Sequence, residues 1–240
     1  MDTSKNYYPF WKIEHQRSEL LRSREIIDFV DYGAKAEGKS ITDQRKVSEI
    51  ASSSLSGKWQ CRTMFNLVNH YKPRNILELG TSFGISTAYL ASTNSKVEVL
   101  SLEGNPTSAT IASKVFSNLS LKNVNVRVGE FSKTLPEAVE DLKTIDLAFI
   151  DGNHRKIATL KYFEFLKKYS NTSSIFIFDD IYWSDEMNDA WEEIKNDSDV
   201  AFTIDLYRMG LVFFDKTIMK KQHFTLINYR WKPWKIGLFG

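Results

Sequence analysis

The sequence predicts an α/β protein with a doubly wound, seven-stranded sheet, mostly parallel, ending in an antiparallel hairpin and carrying an N-terminal helical cap. Three observations predict it. From residue 74 onward, short β-branched runs alternate with helical stretches, the pattern of strands joined by crossover helices. The last two strand-like runs are separated only by Met209-Gly210, a link too short for anything but an antiparallel turn. Residues 11 to about 70 contain no convincing strand.

In the N-terminal zone, "EHQRSELLRSREIIDFVDYG" places Leu20, Ile27 and Val30 at helical spacing, with Gly33 as the expected C-cap. "GAKAEGKS" reads as a loop. "DQRKVSEIASSSL" and "WQCRTMFNLVNHY" read as two further helices, the second with Met64, Leu67, Val68 and Tyr71 on one face. Pro73 divides this zone from the rest, so residues 1–72 are expected to form a helical extension on a domain at 73–240. Expected strands are 75–80, 97–103, 124–129, 145–151 and 174–180, followed by the hairpin "AFTIDLYR" and "LVFFDK". Between them, Asn105-Pro106 starts a helix with Ile111, Val115 and Leu119 on one face. Ala158, Tyr162, Phe165 and Tyr169 form the expected stripe of the next helix. Met187, Ala190, Trp191 and Ile194 form that of the last, with Ser184 as its cap and Asp185 and Glu186 at its positive end.

Composition narrows the function. The 240 residues are 42% hydrophobic and 26% charged, ordinary for a globular protein, and the 13% aromatic content fits a ring-rich core. A net charge of +2 gives no electrostatic case for nucleic acid. The single cysteine, Cys61, excludes an internal disulfide and a thiolate zinc site, and is expected to be buried or inert. The N-terminus lacks a secretory signal pattern, and no apolar run is long enough to span a bilayer. The expectation is a cytoplasmic enzyme acting on a small molecule, with a homodimer as a candidate assembly.

The stretch "NILELGTSFGIST" carries the first chemical signal. Gly80 and Gly84 lie in the turn after the first strand, where such sheets bind ligands. Gly80 permits a tight turn, Gly84 a close approach of the next helix, and the helix amides face an anion. A dinucleotide site would want a third glycine at position 82, where this chain has Ser82. Glu78 is also wrong for a pyrophosphate and suits an ammonium group. Glu103 ends the second strand, 23 residues after Gly80, where an acid binds ribose hydroxyls. An acid for an amine, an acid for a ribose and no room for pyrophosphate together describe S-adenosylmethionine.

On these motifs the chain resembles the class I S-adenosylmethionine-dependent methyltransferases, which have a Rossmann-like fold. Within them it is similar to the O-methyltransferases of the catechol and caffeoyl-CoA type and their bacterial relatives. The resemblance runs from about residue 74 to 195. "LELGTSFGIST" resembles the first motif, which implies cofactor contacts from Glu78, Gly80, Thr81, Ser82 and Gly84, with Ser86 on the methionine carboxylate. "LSLEGNP" resembles the second motif, placing Glu103 on the ribose with Gly104 and Asn105 beside it. "VRVGEFSKTLP" places Gly129, Glu130 and Phe131 beside the adenine.

The resemblance also implies an acceptor end. In the relatives, acids at the positions of Asp151, Asp179 and Asp180 bind a divalent cation, for which Mg²⁺ is expected, and Asp151 also borders the cofactor. The residue three after the first acid, often lysine there, is the general base; here it is His154. A histidine of ordinary pKa about 6.5 takes a proton from an acidified hydroxyl near neutral pH. His154 is expected to start the helix after the fourth strand, whose positive end would lower that pKa. Asp179 and Asp180 converge on one ion only if the strand bends between them, since successive side chains point to opposite faces. Tyr182 and Trp183 wall the acceptor pocket or pack. His15, His70 and His223 have no acid neighbours that suggest a site. The tail "YRWKPWKIGLFG" is expected to tuck its tryptophans on the domain. The alternatives are a metal-free methyltransferase for a sugar or secondary-metabolite hydroxyl, a nicotinamide-dependent oxidoreductase, and a cofactor-binding protein without catalysis.

Overall fold

The structure is a computed structural model that describes residues 4–30, 42–215, 217, 218 and 220–226. The expected C-cap Gly33, the glycine-lysine loop and the aromatic-basic tail lie outside the described residues. The chain forms two compact units, residues 1–153 and 154–240.

The first unit opens with α1 (Tyr8–Arg22), β1 (Ile26–Val30), β2 (Thr42–Lys46), α2 (Val47–Ser54) and α3 (Lys58–Tyr71). The two strands correct the expectation of an all-helical zone: β1 and β2 pair antiparallel, Ile26 opposite Lys46. The β-branched run "IIDFV" prefers a pleated surface, and a helix through it gives way at Ser23. On α3, Met64, Leu67 and Val68 are buried as expected, whereas Tyr71 at the last turn is 47% exposed. Lys72 ends α3 in the left-handed conformation, directly before Pro73.

Four parallel strands follow: β3 (Asn75–Leu79), β4 (Glu98–Glu103), β5 (Val124–Val128) and β6 (Ile145–Ile150). Their connections are α4 (Ile85–Ala91), α5 (Pro106–Asn118) and α6 (Phe131–Leu142). β3 pairs with β4 on one side and β6 on the other, and β4 pairs with β5. The chain thus marches from β3 outward to β5, then returns to the far side of β3. This reversal is the topological switch point, with the loops after β3 and β6 beside it. β3 is almost wholly buried, and Asn105 caps α5 by accepting from the amides of Thr107 and Ser108.

The second unit contains α7 (Lys156–Lys167), β7 (Ser170–Asp179), α8 (Asp185–Asn196), β8 (Phe202–Asp205), β9 (Met209–Phe213) and β10 (Gln222–Thr225). β9 lies antiparallel to both β7 and β8, the terminal hairpin the short link requires, and β10 adds parallel to β8. α8 buries Met187, Ala190, Trp191 and Ile194, and Ser184 accepts from the Met187 amide at 3.2 Å. α7 is rotated from the expectation: Thr159, Phe163 and Leu166 are its buried positions. Aromatic residues lie on both sides of that helix, so ring count alone picked the wrong stripe. All seven expected strands are present, with β1, β2 and β10 in addition.

Candidate active site

The loop after β3 is built on backbone that side chains disfavour. Gly80, Ser82 and Gly84 have φ of +102°, +48° and +80°. A Cβ on Gly80 would stand 2.2 Å from the backbone oxygen of Asp151, so only glycine lets this loop pass the end of β6. A Cβ on Gly84 would meet the Phe116 ring at 2.6 Å; its absence lets α4 close on α5. The amides of Gly80 and Thr81 both donate to the Leu102 oxygen, at 2.9 and 3.2 Å.

Glu103, at the end of β4, fastens this loop. Its Oε2 accepts from the Ser82 amide at 2.7 Å, and its Oε1 from the Asn105 amide at 2.8 Å. Burial pushes its carboxyl up, against the backbone amides of Asn105, Ser82 and Gly104. A carboxylate has about four acceptor sites, so with three backbone amides on it about one remains for a ligand's hydroxyl. The Gly129 amide donates to the main-chain oxygen of Glu103 at 2.8 Å. Phe131 lies on the backbone of Gly152, where a Cβ would be 2.6 Å from its ring, and Glu130 is exposed beside it. Four loops from successive strand ends therefore meet: residues 80–84, 103–105, 129–131 and 151–152. Next to them, Asn153 adopts φ +56° and buries an Oδ1 that has no hydrogen-bond partner.

Glu78, expected to accept from an ammonium group, lies on β3. It is fully buried and accepts from Ser86 Oγ at 2.7 Å, Ser101 Oγ at 2.6 Å and Thr87 Oγ1. Burial, the dominant cause, raises its pKa from 4.5 to about 7, against these three hydroxyl donors. Ser86, expected on the methionine carboxylate, spends its hydroxyl on Glu78. Ser101 escaped the sequence reading. Its signal was a polar residue inside the apolar run "VLSLE", in register with Glu78 on the neighbouring strand.

A methyltransferase-domain family profile matches residues 77–181. A catechol O-methyltransferase from Niastella koreensis is 32% identical over 111 residues, covering 45% of this chain and 49% of that protein. Residues 77–181 are thus similar to a methyltransferase domain. The chain spans about half the length of that curated relative. Among solved structures, the O-methyltransferase from Bacillus cereus in complex with SAH has a TM-score of 0.59 at 24% identity, covering 67% of this chain and 83% of that one. The O-methyltransferase TomG from Streptomyces achromogenes, involved in tomaymycin synthesis and solved with SAM, has a TM-score of 0.60 at 21% identity, covering 67% and 82%. At these identities the likeness is one of fold.

The residues expected on the acceptor side follow β6 and β7. His154 precedes α7, which begins at Lys156 with Arg155 as its cap, so the expected position at the helix start is corrected by two residues. Its pKa is lowered by burial, against the pull of Asp180. The Trp183 ring lies 6.4 Å from the imidazole and is 67% exposed. Asp179 ends β7 buried. Asp180 turns to φ +49°, so the strand does bend there. However, Asp180 Oδ1 accepts from Arg208 Nη2 at 3.0 Å, and its amide donates to the Arg208 oxygen at 2.7 Å. Among the described residues, no three His, Cys, Asp or Glu side chains are grouped to hold a metal ion. The Asp180 carboxylate, expected on a cation, is paired with the Arg208 guanidinium. Arg208 carried no motif signal. Tyr182 donates its hydroxyl to Asp205. Cys61 is buried, as expected. No helix among the described residues is long and apolar enough to cross a membrane.

Proposed function

We propose that the protein methylates a hydroxyl oxygen of a small molecule, using S-adenosylmethionine, with His154 taking the hydroxyl's proton. The observation that carries this reading is the meeting of four strand-end loops around Gly80, Glu103, Phe131 and Asp151 within residues 77–181, which are similar to a methyltransferase domain. Bound there, the cofactor would supply an electrophilic methyl group on a sulfonium. Glu103 accepts from a ribose hydroxyl with the acceptor site that its three backbone amides leave over. Gly129, Glu130 and Phe131 border the adenine, and Thr81, Ser82, Gly84 and Gly104 line the path between. Asn153 Oδ1 offers a buried acceptor beside them. Glu78 acts from beneath, orienting Ser86 at the start of α4 without meeting the ligand. Residues 1–72 serve as an extension of this domain, which spans 73–240.

His154 suits the base role because burial keeps its imidazole neutral near pH 7, ready to accept a proton. The oxygen acceptor rests on the kinship with a catechol O-methyltransferase. The Arg208–Asp180 pair favours the metal-free form of the reaction. The test is transfer of labelled methyl from S-adenosylmethionine across pools of phenolic and sugar acceptors. The reading predicts labelled product from at least one hydroxyl compound and none from its methyl ether. Product only from amines or thiols would overturn it.

A further inference from the structure

Helix α1 lies outside residues 77–181, yet it carries a part-buried ion pair aimed at the cofactor loops. Arg17 Nε donates to Glu14 Oε1 at 3.2 Å, with the two side chains 12% and 20% exposed. Glu14 Oε1 also accepts from the Tyr89 hydroxyl of α4 at 2.9 Å, and Lys58 lies 3.7 Å from Oε2. The other end of Arg17 grips the turn between α2 and α3: Nη1 donates to the Ser56 oxygen at 2.9 Å, and Nη2 stands 3.5 Å from Cys61 Sγ. That turn reaches both loops of the switch point. Ser54 Oγ is hydrogen-bonded to Ser82 Oγ at 2.8 Å, and Ser56 Oγ stands 3.5 Å from Asp151 Oδ2.

We infer that Glu14 and Arg17 position the Ser54–Ser56 turn as a wall of the cofactor cleft, making α1 part of the binding site. The inference rests on the cofactor reading above. Burying a guanidinium and a carboxylate is costly, and apolar side chains would hold α1 in place without that cost. The planar fork adds direction: it fixes a backbone carbonyl of the turn while its carboxylate partner fixes α4, the helix that leaves the glycine loop. The Arg17 guanidinium is a positioning group, two contacts removed from the ligand.

Calorimetric titration with S-adenosylhomocysteine tests this in the 240-residue chain. Arg17→Met keeps the side chain's length and loses the fork. In the folded variant the dissociation constant should rise about tenfold, and Arg17→Lys, which keeps the charge, should recover part of the loss. Ser54→Ala should weaken binding by a smaller factor. Combined with Arg17→Met it should add almost nothing, because both act through one turn. A merely structural role would lower the melting temperature and leave the affinity of folded protein unchanged. An affinity within twofold of wild type in Arg17→Met, or an unchanged affinity in Ser54→Ala should the first variant not fold, overturns the inference, as does full additivity with Ser54→Ala. If the wild-type chain takes up no S-adenosylhomocysteine, the cofactor reading itself fails and the inference falls with it.

Discussion

Glu78, expected against the cofactor's ammonium group, is fully buried on three hydroxyls. A carboxyl held by three hydroxyls and no cation is easier to bury protonated than charged. Its pKa of about 7 in the folded chain lies above the ordinary 4.5. The folded state therefore holds a proton that the unfolded state has released, and stability falls as pH rises from about 4.5 to 7. The contribution lost across that window is on the order of 3 kcal/mol. Glu78→Gln, neutral at all pH, should flatten this slope, and melting curves of the two proteins between pH 4.5 and 8 would show it. Parallel curves would mean that Glu78 is already ionised when buried. His154 is the mirror case, since burial lowers its pKa below 6.5. A base must be neutral, so the rate should rise with pH below the ordinary histidine range and level off by neutrality. His154→Ala should lose that inflection and about 10²- to 10⁴-fold in turnover, with S-adenosylhomocysteine affinity nearly unchanged. A fully active alanine variant would move the base elsewhere. Glu103 is the third residue at stake: replacing it by alanine removes charge-assisted acceptance from a ribose hydroxyl, costing about 1.5–3 kcal/mol, or roughly 10- to 100-fold in affinity.

At the scale of elements, the sheet was legible because its signals are local. Each of β3, β4, β6 and β7 is a short apolar run closed by an acid or a glycine. α8 declared itself through a four-residue stripe and the Ser184 cap. Ser184→Ala should cost about 1 kcal/mol, readable as a lower denaturation midpoint with an unchanged slope. α8 also fixes a glycine that no motif flagged. A Cβ on Gly210 would meet the Trp191 ring at 2.5 Å. Gly210→Val should therefore destabilise by about 1–3 kcal/mol through overpacking, and Trp191→Leu in the same chain should recover part of it. Illegible were the elements whose cause is non-local. Nothing in "IIDFV" says that it pairs with "TDQRK"; its apolar residues also fit a helical stripe, and only the partner strand decides. The face of α7 was decided by packing, because ring residues lie all round it. The site divides the same way: Gly80, Gly84 and Glu103 stood out by type and spacing, whereas Arg17, Ser54 and Arg208 matter through partners distant in sequence.

At the scale of the whole molecule, the proposed cofactor site lies where the strand order reverses, between β3 and β6. The first strand-end loop lacks the third glycine of dinucleotide sites, so nicotinamide cofactors should be rejected. The Arg208–Asp180 pair predicts that exhaustive chelation leaves the transfer rate unchanged. A rate abolished by chelator and restored by Mg²⁺ would return the acid set to a metal role. The central claim is the identity of the cofactor, and calorimetric titration of the intact chain with S-adenosylhomocysteine, beside NAD, tests it most directly. The account predicts saturable one-to-one binding of S-adenosylhomocysteine, weakened about 10- to 100-fold by Glu103→Ala, and no heat from NAD. Binding of NAD, or a Glu103→Ala affinity equal to wild type, would contradict it.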